Sequence, residues 1–325
     1  MRDISRRNFS ILSAFGTAAA FGLSRPMEFI GTARAEEPVQ PFHKFKVGAI
    51  EVTTVYDGVW EKKHDPNFAK NASLEDVKKA LVAGGLTDAF VPIPFTVTIV
   101  RLGDRTIMFD ASTGGQVVLE GNGKAGLALE ANMKAAGIEP ASINTIIVTH
   151  FHPDHIFGLM APETNAQVFP NAEIVVPATE FKFWTDAGVF AKLPAPFHGL
   201  AKRIQATLPS WKNVKQFEGD VEVAPGIHAV ATNGHTPGHT SYMLGSGADQ
   251  LWVTGDITNV RALNMRNPGM HLAFDGDPDK AEASRRKMFE AAIAEKAVLT
   301  GYHWGMPGAG TIAKDGNGYA LSPAA

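Results

Sequence analysis

Thr149-His150-Phe151-His152-Pro153-Asp154-His155 sets three imidazoles and a carboxylate side by side within one short stretch. Immediately before it, Ile143–Thr149 is almost continuously apolar around Ile146-Ile147-Val148, the pattern of a strand buried on both faces. Residues two apart on extended chain point the same way, so His150 and His152 can grip one cation. Pro153 suits a turn and not a central ladder, which places the start of a helix there. Asp154 and His155 fall on that turn and can face a second cation. A buried cluster of this kind without metal would leave unpaired polar groups, each costing about 1–3 kcal/mol.

Four ligands are too few for two sites, and three later positions can supply the rest. His235 lies in Asn233-Gly234-His235-Thr236-Pro237-Gly238-His239-Thr240, Asp256 closes Val253-Thr254-Gly255-Asp256, and His303 lies in Thr300-Gly301-Tyr302-His303-Trp304. Each follows a strand-like segment, and strand ends are the rigid positions a metal site needs. A carboxylate has two oxygens, so Asp256 can bridge a cation pair at the usual spacing of about 3.5–4 Å. The chain has no cysteine. Thiolate sites and disulfides are therefore excluded, and a transition metal must be held by His, Asp or Glu.

Further out, strands are expected over Phe45–Val59 and Phe95–Leu102, with Gly103-Asp104 turning into Thr106–Asp110. A helix is expected over about Gly126–Ala136, stopped by Gly137. Ala172–Val176, Val221–Val230, Ser241–Leu244 and Leu251–Thr254 read as further strands. A long helix runs from Pro278 to Lys296 with Asp277 as its cap, and Val298–Tyr302 is the last strand before a final loop. Pro177–Val214, rich in Phe, Trp and Pro, is a candidate cover over a pocket. Paired strands with interspersed helices point to an α/β fold, an αββα sandwich of two mixed sheets with helices outside.

Residues 1–35 read as a twin-arginine export signal. Ser5-Arg6-Arg7-Asn8-Phe9 precedes a mildly apolar run, Ile11–Leu23, and then Ala33-Arg34-Ala35, a cleavage site. That run would extend about 20 Å as a helix against roughly 30 Å of hydrocarbon, too short for a stable membrane anchor. The expected mature chain, 36–325, is a single domain handed over by the twin-arginine machinery to the periplasm or the medium. The whole sequence carries a formal charge of −3, and removing the basic leader makes it more negative. Nucleic acid is therefore not an expected partner.

The order H-x-H-x-D-H, H-T-P-G-H, Gly-Asp and a late His resembles the metallo-β-lactamase superfamily, from about residue 45 almost to the end. Within it, the sequence is similar to methyl parathion hydrolase and related lactone and aryl-ester hydrolases. The likeness rests on Thr-His-x-His-Pro-Asp-His, Gly-His-Thr-Pro-Gly-His-Thr, Met306-Pro307-Gly308-Ala309-Gly310 and the pair Phe183-Trp184. It implies that His150, His152 and His235 hold one metal and that Asp154, His155 and His303 hold the other. Asp256 is then shared, and Asp154 and Asp256 take the catalytic roles. Asp110, in Asp-Ala-Ser-Thr-Gly where the family has Asp-Thr-Gly, supports the ligand loop, and His239 packs beside the site. The metals implied are two divalent ions, zinc first, with Mn, Fe and Co also compatible with these donors.

Such a pair lowers the pKa of a shared water towards neutrality, and hydrolysis of small esters, lactones or aryl (phospho)esters follows. Phe183, Trp184, Phe190, Phe197 and Phe274 are candidate walls of an apolar substrate pocket. Two alternatives stay open: a non-catalytic, metal-stabilised binding protein, and a β-lactamase-type amide hydrolase. A homodimer is also left open.

Overall fold

In the computed structural model, which describes residues 39–117 and 125–325, Ile146 and Ile147 are sequence neighbours that pack into different cores. The same division separates Met108 from Ile107 and Phe109, and Val175 from Ile174 and Val176. Side chains alternate across a strand, so a strand that is apolar at every position must be covered on both faces. That requirement produces the layers.

One sheet runs in sequence order through β1 (Phe42–Val47), β2 (Ile50–Lys62), β3 (Val91–Leu102), β4 (Arg105–Phe109), β5 (Thr145–Ile147), β6 (Glu173–Pro177) and β7 (Val214–Phe217). It is antiparallel from β1 to β4 and parallel from β4 to β7. The second holds β8 (Glu222–Ala224), β9 (Ile227–Ala231), β10 (Thr240–Ser246), β11 (Asp249–Val253), β12 (Val298–Thr300), β13 (Ala309–Asp315) and β14 (Gly318–Pro323). Only its β11–β12 pair is parallel.

Between the sheets lie Val52, Val100, Phe109, Ile147, Val175, Tyr242, Leu244 and Leu251. The outer face of the first sheet is covered by α1 (Leu74–Ala83), α2 (Leu129–Ala135), α3 (Pro153–Ile156), α4 (Ala178–Thr185) and α5 (His198–Thr207). The outer face of the second packs Trp252, Leu299 and Ile312 on Met288, Phe289 and Ala292 of α6 (Pro278–Glu295). The fold is the expected αββα sandwich of two mixed sheets, and Val39–Ala325 forms one compact unit. No helix among the described residues is long and apolar enough to cross a membrane. The expected leader at 1–35 lies outside them.

Several elements differ from the sequence reading. Val221–Val230 is a hairpin, because Pro225-Gly226 breaks it and Gly226 takes φ +80°. Of the strand expected over Ile143–Thr149 only Thr145–Ile147 forms β5; the Val148 N–H still donates to the Val175 carbonyl at 2.9 Å before the chain turns toward the site. The candidate cover, Pro177–Val214, holds α4 and α5 and ends at the first residue of β7. Past His303 the chain forms the β13–β14 hairpin, whose exposed Thr311, Lys314 and Asp315 hid it from hydropathy. α6 begins as read, with the Asp277 carboxylate accepting from the Lys280 N–H at 3.1 Å.

Candidate metal centre

Four chain segments leave strand ends at one edge of the sandwich and meet there. The turn after β5 brings His150, His152, Asp154 and His155, while the loops after β9, β11 and β12 bring His235, Asp256 and His303. Ligand atoms of His150, His152 and His235 lie within 4.8 Å of one another, as do those of Asp154, His155 and His303. His150, His155 and Asp256 form a third such group spanning the other two. Asp256 sits centrally, with Oδ2 at 3.1 Å from His303 Nε2 and 3.4 Å from His235 Nε2, and Oδ1 at 3.4 Å from His155 Nε2. All seven candidate ligands therefore converge.

The rear nitrogens explain how the rings are aimed. His155 Nδ1 donates to Asp110 Oδ2 at 2.8 Å, His235 Nδ1 to Asp275 Oδ1 at 2.9 Å, and His303 Nδ1 to the Pro94 carbonyl at 2.9 Å. Thr149 Oγ1 gives its proton to Asp110 Oδ2 and so accepts from His150 Nδ1 at 3.0 Å. With Nδ1 engaged behind, these four rings turn Nε2 inward. His152 turns the other way, with Nδ1 at 3.0 Å from His150 Nε2 and 2.9 Å from His235 Nε2. A single proton on His152 Nδ1 can serve only one of these two contacts. His155 Nε2 and Asp256 Oδ1, both buried, have no hydrogen-bond partner at all. Cations among these atoms would satisfy them, and the donor set fits zinc, manganese, iron or cobalt.

Electrostatics also favours positive charge here. Burial, and then the neighbouring rings, push His150 and His152 well below the usual imidazole range, so both are neutral donors. At His303 burial also pulls downward, but Asp256 and Asp154 outweigh it and raise the ring to about 9. His155 is raised well above its usual range in the same way, by Asp256, Asp154 and Asp110. Burial alone would raise Asp154, yet His155 and His303 hold it at about 2. The half of the site holding Asp154, His155, His303 and Asp256 thus needs a compensating cation, whether a proton or a metal.

Asp110 and His239 stand behind the ligands, as the sequence suggested. Asp110 also accepts from the Thr149 N–H at 2.7 Å, and His239 Nε2 accepts the Asp256 N–H at 2.9 Å. Burial drives His239 down to about 3, which keeps that acceptor free. Gly255 lets the two approach: it takes φ +53°, and a Cβ there would lie 2.7 Å from His239 Nε2.

The aromatic candidates divide. Phe197 stacks on His152 with ring centroids 5.5 Å apart, and Phe274 packs on Trp60 and Phe68 one residue before Asp275. Trp184 is core and not pocket wall: it is 1% exposed, with Nε1 donating to Glu180 at 2.7 Å. Phe183 packs edge-on against Trp184, and Phe190 against His198. The sequence reading missed Asp275, Glu180, Asn259 and Tyr302. Asn259 Nδ2 donates to Asp256 Oδ2 at 3.0 Å, and Tyr302 Oη donates to the Asp154 carbonyl at 2.6 Å. Tyr302 and Asn259 lie within three residues of a ligand, a proximity that could have flagged them.

The chain is similar in sequence and fold to known proteins. The family model for the metallo-beta-lactamase superfamily matches residues 93–299. An N-acyl homoserine lactonase from Bacillus thuringiensis is 30% identical over 171 residues, 51% of this chain and 58% of that protein. The N-acyl homoserine lactonase AiiB of Agrobacterium fabrum is 25% identical over 202 residues, 57% of this chain and 67% of that one. The match therefore spans little more than half the length of the Bacillus lactonase. Among solved structures, AidC, a dizinc quorum-quenching lactonase in complex with a product, aligns with a TM-score of 0.79 at 24% identity. It covers 89% of this chain and 99% of that one. The hydrolase AbOPH, described as in the beta lactamase superfamily, aligns at 0.77 and 26% identity with the same coverage. With two mixed sheets, helices on both outer faces and a family match over more than half its length, the chain belongs to the metallo-beta-lactamase superfamily.

Proposed function

We propose that the protein is a two-cation hydrolase of lactones and small esters with apolar acyl or aryl groups. The observation that carries this reading is the inward convergence of five imidazoles and two carboxylates around the partnerless atoms of His155 and Asp256. Lactonase relatives supply the substrate class. In this reading His150, His152 and His235 would hold one cation, Asp154, His155 and His303 the second, and Asp256 both. Bound there, the pair supplies an activated water and polarises the carbonyl it attacks.

The remaining roles belong to the chain. Asp154 is the more exposed of the two carboxylates, with its side chain 21% exposed against 3% for Asp256. Kept ionised, its oxygen can take up the proton released by water and return it to the leaving alkoxide. Phe197 beside His152, and Phe274 with Trp60, offer apolar surface that seats an acyl or aryl group and excludes water. Zinc as the native metal, phosphotriester turnover of the methyl parathion hydrolase kind, and export through the leader at 1–35 belong to the same proposal. They rest on the donor set and on the motifs.

The test is turnover by the metal-quantified protein on N-acyl homoserine lactones, dihydrocoumarin, p-nitrophenyl acetate and methyl paraoxon. Lactone and ester turnover that chelation abolishes and added zinc restores is expected. Two cations per chain with no turnover on any substrate would replace the enzyme reading with that of a metal-stabilised binder. Cell fractionation tests the export.

A further inference from the structure

Glu180, in the first turn of α4, is fully buried, and among the described residues the other buried acids are Asp57, Asp110, Asp256 and Asp275. Its Oε1 accepts from the Phe151 N–H at 3.0 Å and from Trp184 Nε1 at 2.7 Å. Its Oε2 accepts from Thr236 Oγ1 at 2.8 Å and from the Gly238 N–H at 2.9 Å. An ionised carboxylate offers about four acceptor positions, and all four are used. Phe151 lies between His150 and His152, while Thr236 and Gly238 follow His235. One carboxylate thus joins two loops more than eighty residues apart in sequence, and these are the loops that carry the all-imidazole cluster. Gly238 lets α4 come this close, since a Cβ there would lie 2.3 Å from the Glu180 nitrogen. The cluster of Asp154, His155 and His303 makes no bond to Glu180 and is braced by the Pro94 carbonyl, Tyr302 and Asp110, the last of which also reaches His150 through Thr149.

We infer that Glu180 is a positioning residue of the His150–His152–His235 cluster, setting the affinity of that half of the centre far more than that of the other. The inference rests on the two-cation reading above. Glutamine keeps the volume of Glu180 but turns an amide group on two of the four donors. Loops that carry ring nitrogens within 3.0 Å of one another tolerate little displacement, and lost support behind metal ligands typically costs about 10–100-fold in affinity.

The experiment strips the full chain of metal and reloads it with Co2+, following visible absorption and bound metal per chain, for wild type, Glu180→Gln and Thr236→Val. Wild type should take up two ions. Glu180→Gln should unfold as cooperatively as wild type yet retain one ion tightly, its second half-saturation point raised about 10–100-fold. Thr236→Val removes a single bond to Oε2 and should raise the same point a few-fold. Two unchanged binding steps in Glu180→Gln, or equal weakening of both, would overturn the assignment. Should Glu180→Gln fail to fold, an unchanged Thr236→Val titration overturns it and a selectively weakened step supports it. Wild type that binds no Co2+ refutes the two-cation reading itself.

Discussion

At the scale of single residues, the centre depends on side chains placed between the two clusters. Asp256 is the clearest case, because its two oxygens face rings from both clusters. Asp256→Ala should lose bound metal and lactone turnover together, with kcat falling more than about 100-fold. Metal analysis beside steady-state kinetics checks this, and full activity in the variant would exclude a bridging role. Gly255→Ala introduces a methyl group against His239 and Thr149 at a left-handed position. It should destabilise the fold by about 1–3 kcal/mol in urea titration, an effect that Gly199, with an ordinary φ and open space around it, would not share. The seven residues that converge here were legible as candidate ligands because their residue types and spacing suit metal chemistry. Asp275 was not, since it meets His235 from 40 residues away and nothing local marks it.

At the scale of elements, strands were readable where β-branched residues alternate or run together and unreadable where the surface is polar. The β13–β14 hairpin is an edge with lysine, aspartate and threonine facing solvent, so it read as loop. α1 escaped notice although Ser73 and Asp76 cap it reciprocally, because its exposed lysines and glutamate dilute the two buried positions, Val77 and Leu81. α6 was easily read, and it carries a pH-dependent clip: Glu282 accepts from His271 Nε2 and Arg286 Nε, both at 2.8 Å. Partial burial alone would raise Glu282, but His271 and Arg286 outweigh it and hold the carboxyl below its usual range. A carboxyl lowered on folding stabilises the protein above its unfolded pKa and loses that contribution as pH falls through the folded value. Glu282→Gln should therefore be less stable than wild type near neutrality by about 0.5 kcal/mol. The gap should close below about pH 4, and thermal melts across that range decide it. A constant gap would place the contribution in packing.

At the scale of the whole molecule, the sandwich divides by sequence: β1 to β7 build one sheet and β8 to β14 the other. The ligands divide likewise, with His150, His152, Asp154 and His155 from the first half and His235, Asp256 and His303 from the second. A cation pair held by both halves stabilises the native state by mass action, about 4 kcal/mol at a thousand times its dissociation constant. Chelation should lower the melting temperature by roughly 10 °C, and stoichiometric zinc should restore it. Unchanged melting after verified metal loss would mean that packing alone joins the halves.

The short link between β7 and β8, Glu218 to Val221, is exposed along its whole length. A chain cut there remains two contiguous fragments, each with a complete sheet and an incomplete ligand set. Co-expressed as separate polypeptides, they should reassemble into a working heterodimer whose lifetime depends on zinc, dissociating faster in chelator during size-exclusion chromatography. The protein would then serve as a zinc-gated complementation pair, a property that follows from where the backbone crosses between the sheets.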